Sequence, residues 1–366
     1  MTIMAAEPSR LSLRSSRAMI RPAATLIIAV LLVALTGTVI LAITVGAAGI
    51  PVARLPAALG FWRESVPDAL LQRDQLVLWS IRIPRIAAAG IVGGLLAVSG
   101  AIMQGLFRNP LADPALVGVS SGGAFAAAAA IVFIDSRFGA SVQFMQDELL
   151  PLAAFAGSLF TTIMLYVIAS RAGRTSIAIF LLAGLAIAAI ANAGLGVLVF
   201  VADDRQLRDI TFWMLGSFSG ATWSKTATAA PVLAIGMLAC LWVARGLDLL
   251  VLGESEAFHS GINVEKLKRV SIVLISALTG VAVSICGVVG FIGIVVPHLL
   301  RLVIGPSHRL LLPASAIVGA ILVVGADSLA RTIVAPAEMP IGILTAAIGA
   351  PFFLAILLRQ RGLVGL

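Results

Sequence analysis

Long uncharged stretches separated by short charged ones set the pattern of this chain, and several exceed the ~20 residues that a helix needs to cross a hydrocarbon core. Cut at their charged ends, they predict ten spans. Spans one to five fall at Ala24–Ala47, Ile86–Leu106, Pro114–Ile134, Leu149–Ser170 and Ser176–Val201. Spans six to ten fall at Thr226–Ala244, Val270–Cys286, Gly290–Ile304, Leu310–Ala326 and Met339–Leu358. The run Val270–Leu300 holds no Asp, Glu, Lys or Arg and is too long for one helix. A break is expected at Gly287-Val-Val-Gly290, where two glycines weaken the helix. Spans two to five and seven to ten are offset by five, an odd number, so any structural repeat between them is inverted, a transporter habit. The expected fold class is an all-α integral membrane protein with ten transmembrane helices of inverted-repeat character. One membrane domain, residues 22–366, follows a mobile basic tail, residues 1–21.

Four interruptions carry more information than the spans. From Leu247 to Lys268 the chain holds an island of four acids and two lysines. Its composition predicts two short amphipathic helices, Leu247 to Glu256 and Val264 to Arg269, joined by a turn at Ser260-Gly261, where glycine supplies the positive φ that ends a helix. With apolar spans on both sides the island sits in water at one membrane face, as a docking surface or as a plain solvated loop. Ala53 to Arg85 is a long segment of mixed polarity, expected to lie partly as an amphipathic helix on the membrane surface. Ile210 to Gly220 is apolar but too short to span, so a re-entrant or surface half-helix is expected, with its backbone satisfied by protein or a water-filled cavity. Pro297 removes a backbone donor inside span eight, and a bend is expected there.

Composition agrees with a membrane protein: 60% of the 366 residues are hydrophobic and 11% charged, far from what a soluble domain needs. The net charge of +8 gathers at the ends of apolar runs, which is a topology signal rather than a nucleic-acid surface. An even number of spans puts both termini on one side. That side would carry the tail arginines with Arg108, Arg171, Arg174, Arg245, Lys266, Lys268 and Arg269, which makes it cytoplasmic in a bacterial inner membrane. Arg54, Arg82, Arg85, Arg205 and Arg331 fall on the other side with most of the acids, an unusual position that makes them candidates for a role.

Motif chemistry is sparse. Gly118-Val-Ser-Ser-Gly122 matches the nucleophile-elbow pattern, but it opens an apolar span with no histidine before it, and small residues at a helix contact explain it better. None of the three lysines, Lys225, Lys266 and Lys268, follows a glycine, so the phosphate loop of a nucleotide hydrolase is missing. Any ATP used here is hydrolysed by another chain. Cys240 and Cys286 sit in separate apolar runs and suggest neither a disulfide nor a metal site. His259, His298 and His308 all fall on the inner side, so no resident cofactor or metal is expected. Asp327 and Arg331 stand one helical turn apart and can pair with each other. Alternatively Arg331 joins Arg82 and Arg85 in a basic patch that fixes the orientation of an acidic partner.

Several stretches together resemble one family, the permeases of ATP-driven importers for haem, ferric siderophores and cobalamin. They are Arg82-Ile-Pro-Arg85, Ser99 to Pro114, Leu181-Leu-Ala-Gly184, Trp213-Met-Leu-Gly-Ser217, Leu252-Gly-Glu254, Gly290 to His298 with Arg301, Ala326 to Arg331, Glu338-Met-Pro-Ile-Gly342 and Gly349-Ala-Pro-Phe352. The motifs run in register from Leu78 to Leu358. The resemblance implies the permease fold of a type II importer, working as a homodimer with two cytoplasmic ABC ATPase subunits and a periplasmic substrate-binding protein. It places ATPase coupling on Gly253, Glu254, Ala257 and Gly261, within a loop spanning about residues 245–269. It places a cytoplasmic gate at Asn109, Leu111 and Ser176, and binding-protein docking on Arg82, Arg85 and Arg331. The pattern departs at Ile177, where the cobalamin branch is expected to carry a small hydroxyl residue. That counts against cobalamin as cargo. Asn109-Pro-Leu-Ala-Asp-Pro114 followed by Gly118-Val-Ser-Ser-Gly122 looks most like haem permeases, so haem is the expected cargo, with ferric siderophore or cobalamin as alternatives. An ion-coupled secondary transporter, the alternative class, needs ionisable groups near the bilayer midplane, and the acids lie at the ends of the runs instead.

Overall fold

The computed structural model describes residues 13–46, 49–61, 68–114, 118–138, 143–171, 174–335 and 337–364. Residues 1–12 of the expected tail and 62–67 of the expected surface segment lie outside them. The order of elements is α1 (Leu13–Thr44), α2 (Leu55–Ala58), α3 (Asp68–Leu76), α4 (Ile83–Leu106), α5 (Val119–Phe138), α6 (Gln143–Ala169) and α7 (Ile177–Val201). It continues with α8 (Asp204–Leu215), α9 (Trp223–Leu250), α10 (Glu254–His259), α11 (Val264–Cys286), α12 (Ile292–Ile304), α13 (His308–Ile333) and α14 (Ile341–Val364). A two-strand hairpin, β1 (Ser170–Arg171) and β2 (Arg174–Thr175), joins α6 to α7.

Among the described residues seven helical stretches are long and apolar enough to cross a membrane: Ala24–Thr44, Ala69–Leu106, Leu149–Ala169, Ile177–Val201, Trp223–Leu250, Val264–Cys286 and His308–Ile333. Three shorter apolar helices, Val119–Phe133, Ile292–Ile304 and Ile341–Ala355, fall where the sequence predicts spans three, eight and ten. Polar residues mark where several helices start. Ser176 caps α7, Thr222 caps α9 and Asn263 caps α11, each side chain accepting a backbone N–H three residues on. At α8 a full capping box forms between Asp203 and Gln206.

The second span differs from expectation. Instead of resting on a surface, residues from Asp68 onward form a helix that continues through a π-turn, Val77–Arg82, straight into α4. Two features permit this. Asp74, which falls in the expected surface segment, is buried and pairs with Arg54 at 3.4 Å. Pro84 has no N–H for the carbonyl five residues back in the π-register, and the indole Nε1–H of Trp223 donates to that carbonyl, Trp79 O, at 2.7 Å. The amphipathic half-helix also starts earlier than expected, at Asp204 instead of Ile210, because the capping box nucleates it there, and it stops at Gly216, whose φ is +75°. The break in the long uncharged run lies where the glycines predict, between Cys286 and Ile292. Pro297 lies inside α12.

Helix α4 is the centre of the molecule. Almost every residue from Pro84 to Leu106 is buried, and α13, α11, α9 and α12 pack around it. The crossing of α4 and α13 is set by Gly93 against Gly319: a Cβ on either would overlap the other's carbonyl oxygen, so only glycine permits this approach. At the rim, α1, α7 and α9 expose rows of large apolar side chains, among them Val33, Leu185, Leu241 and Phe200, the last 88% exposed. A belt on this scale fits lipid or another apolar surface, not water.

Candidate functional site

Three groups of candidate residues fall at two ends of the helical bundle. The island, the hairpin and the loop after α4 share one end. Arg82, Arg85 and Arg331 lie at the other.

The island is built differently from the two short helices expected. Leu247–Leu250 is the last turn of α9, Gly253 breaks the chain at φ +137°, and a separate helix, α10, occupies Glu254–His259. There is no short helix at Val264 to Arg269. Asn263 caps α11, and nothing interrupts it before Cys286. The turn at Ser260-Gly261 is as predicted, with φ +83° at Gly261. The Gly261 N–H reaches Phe258 O at 2.9 Å and the Ile262 N–H reaches Ala257 O at 3.0 Å, the paired bonds of a Schellman motif. Ala257, on α10, is fully buried and joins the main apolar core, where α10 packs against α9 and α11. Facing away are Leu252 and Phe258, 69% and 67% exposed, beside the exposed Glu254, Glu256 and His259. The island thus offers a rigid, apolar-tipped, acidic knob.

The residues expected at the gate, Asn109, Leu111 and Ser176, lie nearby. After α4, Arg108 takes the left-handed conformation, φ +50°, and the Asn109 side chain accepts the Leu111 N–H at 2.9 Å, a local turn that stiffens the loop. Ser176 accepts the Ile179 N–H at 3.4 Å as the cap of α7, while its own N–H bonds Ala169 O across the hairpin at 3.0 Å. Two long-range contacts brace this end. The His308 ring Nδ1 and backbone N–H both meet Asp248 Oδ1, at 2.7 and 2.8 Å, joining α13 to α9. Gln104 joins α4 to α12: its amide donates to Gly293 O at 3.1 Å and its oxygen accepts from Arg301.

At the opposite end the three arginines are brought together, yet they are buried, 3% exposed for Arg82, 5% for Arg85 and 7% for Arg331. Arg85 grips Asp327 through Nε and Nη2, at 3.1 and 2.9 Å, and Glu338 through Nη1 at 2.9 Å. Arg331 pairs with Asp327 at 3.1 Å, the local pairing that their spacing allows. Arg82 donates to Ile43 O at 2.6 Å and keeps a buried Nη2 with no hydrogen-bond partner. A cavity of about 420 Å³ opens nearby between α5, α6, α8 and α11, lined by Arg205, Asp209, Trp213 and Lys225 among others. At the candidate elbow Ser120 is buried, 6% exposed, where a nucleophile would need an open Oγ.

Comparison with known proteins decides the family. Residues 25–359 match the FecCD transport family. The chain belongs to the FecCD transport family. All the residues above lie inside the matched region. Among FecCD relatives, the hemin transport system permease HmuU of Yersinia pestis is 46% identical over 306 residues, covering 82% of this chain and 87% of that protein. The cobalamin import permease BtuC of Halobacterium salinarum is 44% identical over 287 residues, covering 78% and 74%. The vitamin B12 import permease BtuC of Vibrio cholerae is 38% identical, covering 79% and 84%. A solved chain described as an inward-facing metal-chelate type ABC transporter superposes with a TM-score of 0.77 at 30% identity, covering 91% of this chain and 99% of that one. This chain is accordingly a multi-pass membrane permease of the ABC importer class. Its FecCD membership removes the hydrolase and ion-coupled readings.

The sequence pattern did not single out Asp248, Gln104, Glu265 or Lys268. Only the Glu265–Lys268 pair left a local signal, its i, i+3 spacing. The partners of the others lie 60 to 197 residues away.

Proposed function

We propose that the chain carries haem from a periplasmic binding protein to the cytoplasm, as a homodimer driven by two separate ABC ATPase subunits. The observation that carries the drive mechanism is the island. A six-residue helix, fixed by a Schellman turn and a buried alanine, exposes Phe258 and Leu252 at its tip, which is the surface a cleft in an ATPase would grip. Nucleotide binding to that partner does work here only through a difference in affinity for two permease conformations. Gly253, Glu254, Ala257 and Gly261 hold the knob in shape, and Asn109, Leu111 and Ser176 form the gate at the same end. That end is cytoplasmic in the inner membrane, together with both termini.

Binding-protein docking falls to Arg82, Arg85 and Arg331. Their burial means that a docking acid must exchange with an existing partner. Glu338 suits that exchange, since its side chain is 44% exposed while Arg85 is 7% exposed. Arg82, with its spare donor, can accept a second acid.

Haem as cargo is supported by the hemin permease relative and by Ile177 at the first turn of α7 in place of a hydroxyl residue. Cobalamin is the second reading, supported by the 44% identical cobalamin permease. The test is reconstitution with the ATPase and binding protein in liposomes, comparing uptake of haem, a ferric siderophore and cobalamin. ATP-dependent import of haem above the other two is expected. Preferential import of cobalamin would overturn the cargo reading, and import without any ATPase would overturn the drive mechanism.

A further inference from the structure

Lys268 is 4% exposed, although it lies only one turn into α11 at the island end. A lysine is almost never this buried unless paired, and here the ammonium has three acceptors. It reaches Glu254 Oε2 on α10 at 2.9 Å, Glu265 Oε1 one turn back on α11 at 3.3 Å, and the Thr175 carbonyl on β2 at 3.3 Å. Glu265 completes the set, because its second oxygen accepts the Thr175 N–H at 2.9 Å. Side chains of α11 therefore hold both backbone polar groups of Thr175. That residue directly precedes Ser176, the cap of α7.

One ammonium thus bonds the first residue of the coupling helix and the residue before the cap of the gate helix. An ammonium carries three donors and no acceptor, so with all three engaged the loss of one acceptor leaves an N–H unpaired. Withdrawing Glu254 leaves the ammonium, on a side chain only 5% exposed, with one carboxylate in place of two and little water to replace the other. The ammonium must then shift, and Thr175 shifts with it.

The geometry points to Lys268 as a positioning residue that transmits displacement of α10 to the α6–α7 hairpin and so to Ser176. This rests on the reading of α10 as the ATPase contact and Ser176 as part of the gate. Contact with the ATPase stays with α10, and gating with Asn109, Leu111 and Ser176. Lys268 and Glu265 act through them.

The readout is cargo imported per ATP hydrolysed, which a merely structural defect leaves unchanged because it lowers both rates together. The complete complex is reconstituted in liposomes with whichever of haem, ferric siderophore or cobalamin the unaltered complex imports. Lys268→Met is expected to assemble and hydrolyse ATP, while cargo imported per ATP falls about tenfold, within the range of coupling changes seen for residues linking two sites. Glu265→Gln, on a side chain 27% exposed, gives a smaller loss of the same ratio and carries the test if Lys268→Met does not assemble. Lys268→Arg keeps the charge and recovers most of the ratio. An unchanged ratio in Lys268→Met, or in Glu265→Gln where Lys268→Met does not assemble, overturns the inference. Phe258→Asp, on the exposed tip of α10, separates this from the underlying reading. It abolishes ATPase binding if α10 is the contact, and if it still binds and imports, the coupling reading fails whatever Lys268 does.

Discussion

Replacing Asp327 by Asn isolates the electrostatics of the arginine end. Its carboxylate lies between Arg85, with Nη2 at 2.9 Å, and Arg331, with Nε at 3.1 Å, and the three side chains are 2%, 7% and 8% exposed. The amide keeps the shape but loses the charge, and its NH2 turns two donors towards groups that only donate. Arg85 then depends on Glu338. Arg331 is left on the Ser328 hydroxyl at 3.3 Å and the Asp327 backbone carbonyl at 3.4 Å. Breaking a buried pair in this way costs ~3–5 kcal/mol, because a guanidinium stays buried without compensation. Glu338→Gln removes the exposed arm of the same network, and an exposed pair contributes ~0–1 kcal/mol. Unfolding of each variant by SDS titration in mixed micelles, followed by tryptophan fluorescence, is expected to rank Asp327→Asn far below Glu338→Gln. Replacing Asp327, Arg85 and Arg331 together by apolar residues of similar volume should recover most of the loss, since the one charge that then loses its partner, Glu338, is 44% exposed and meets water. If Asp327→Asn matched Glu338→Gln within about 1 kcal/mol, the carboxylate would not be neutralising buried arginines, and the reasoning would fail.

Three further outcomes follow from packing and backbone geometry. Gly93→Leu drives a side chain into the Gly319 carbonyl and should lose more than the ~1–3 kcal/mol of ordinary overpacking, seen as loss of a monodisperse peak in size-exclusion chromatography. Gly261→Val puts a β-branched residue at φ +83° at a cost of ~1–2 kcal/mol, and Gly261→Asn should cost less in the same SDS titration. Cys240 and Cys286, 3% and 2% exposed, should resist a maleimide until the protein is denatured. Labelling of either thiol in the folded protein would contradict the packing around α9 and α11.

Runs of apolar residues and their glycine breaks were legible before any coordinates, because hydropathy and helix propensity act over one or two turns. The turn at Gly261, the interruption after Cys286 and the membrane class all belong to that short range. The motifs in register from Arg82 to Phe352 carried the family. Helix starts were legible only in part: the Asp203–Gln206 box lies in plain view, yet α8 begins six residues ahead of the apolar stretch that drew attention. Pairings between distant segments left no such trace. Charges near Asp68 and Asp74 read as an amphipathic segment on the membrane surface, and the partner that neutralises Asp74 is Arg54, held beside it by the fold. Arg85 and Glu338 stand 253 residues apart, and Lys268 lies 93 residues from the Thr175 carbonyl it holds. A charged residue looks the same in sequence whether water or a distant side chain compensates it. Which of the two applies depends on how the helices pack around α4, so the burial of the three arginines and the link from α10 to α7 came from the folded molecule.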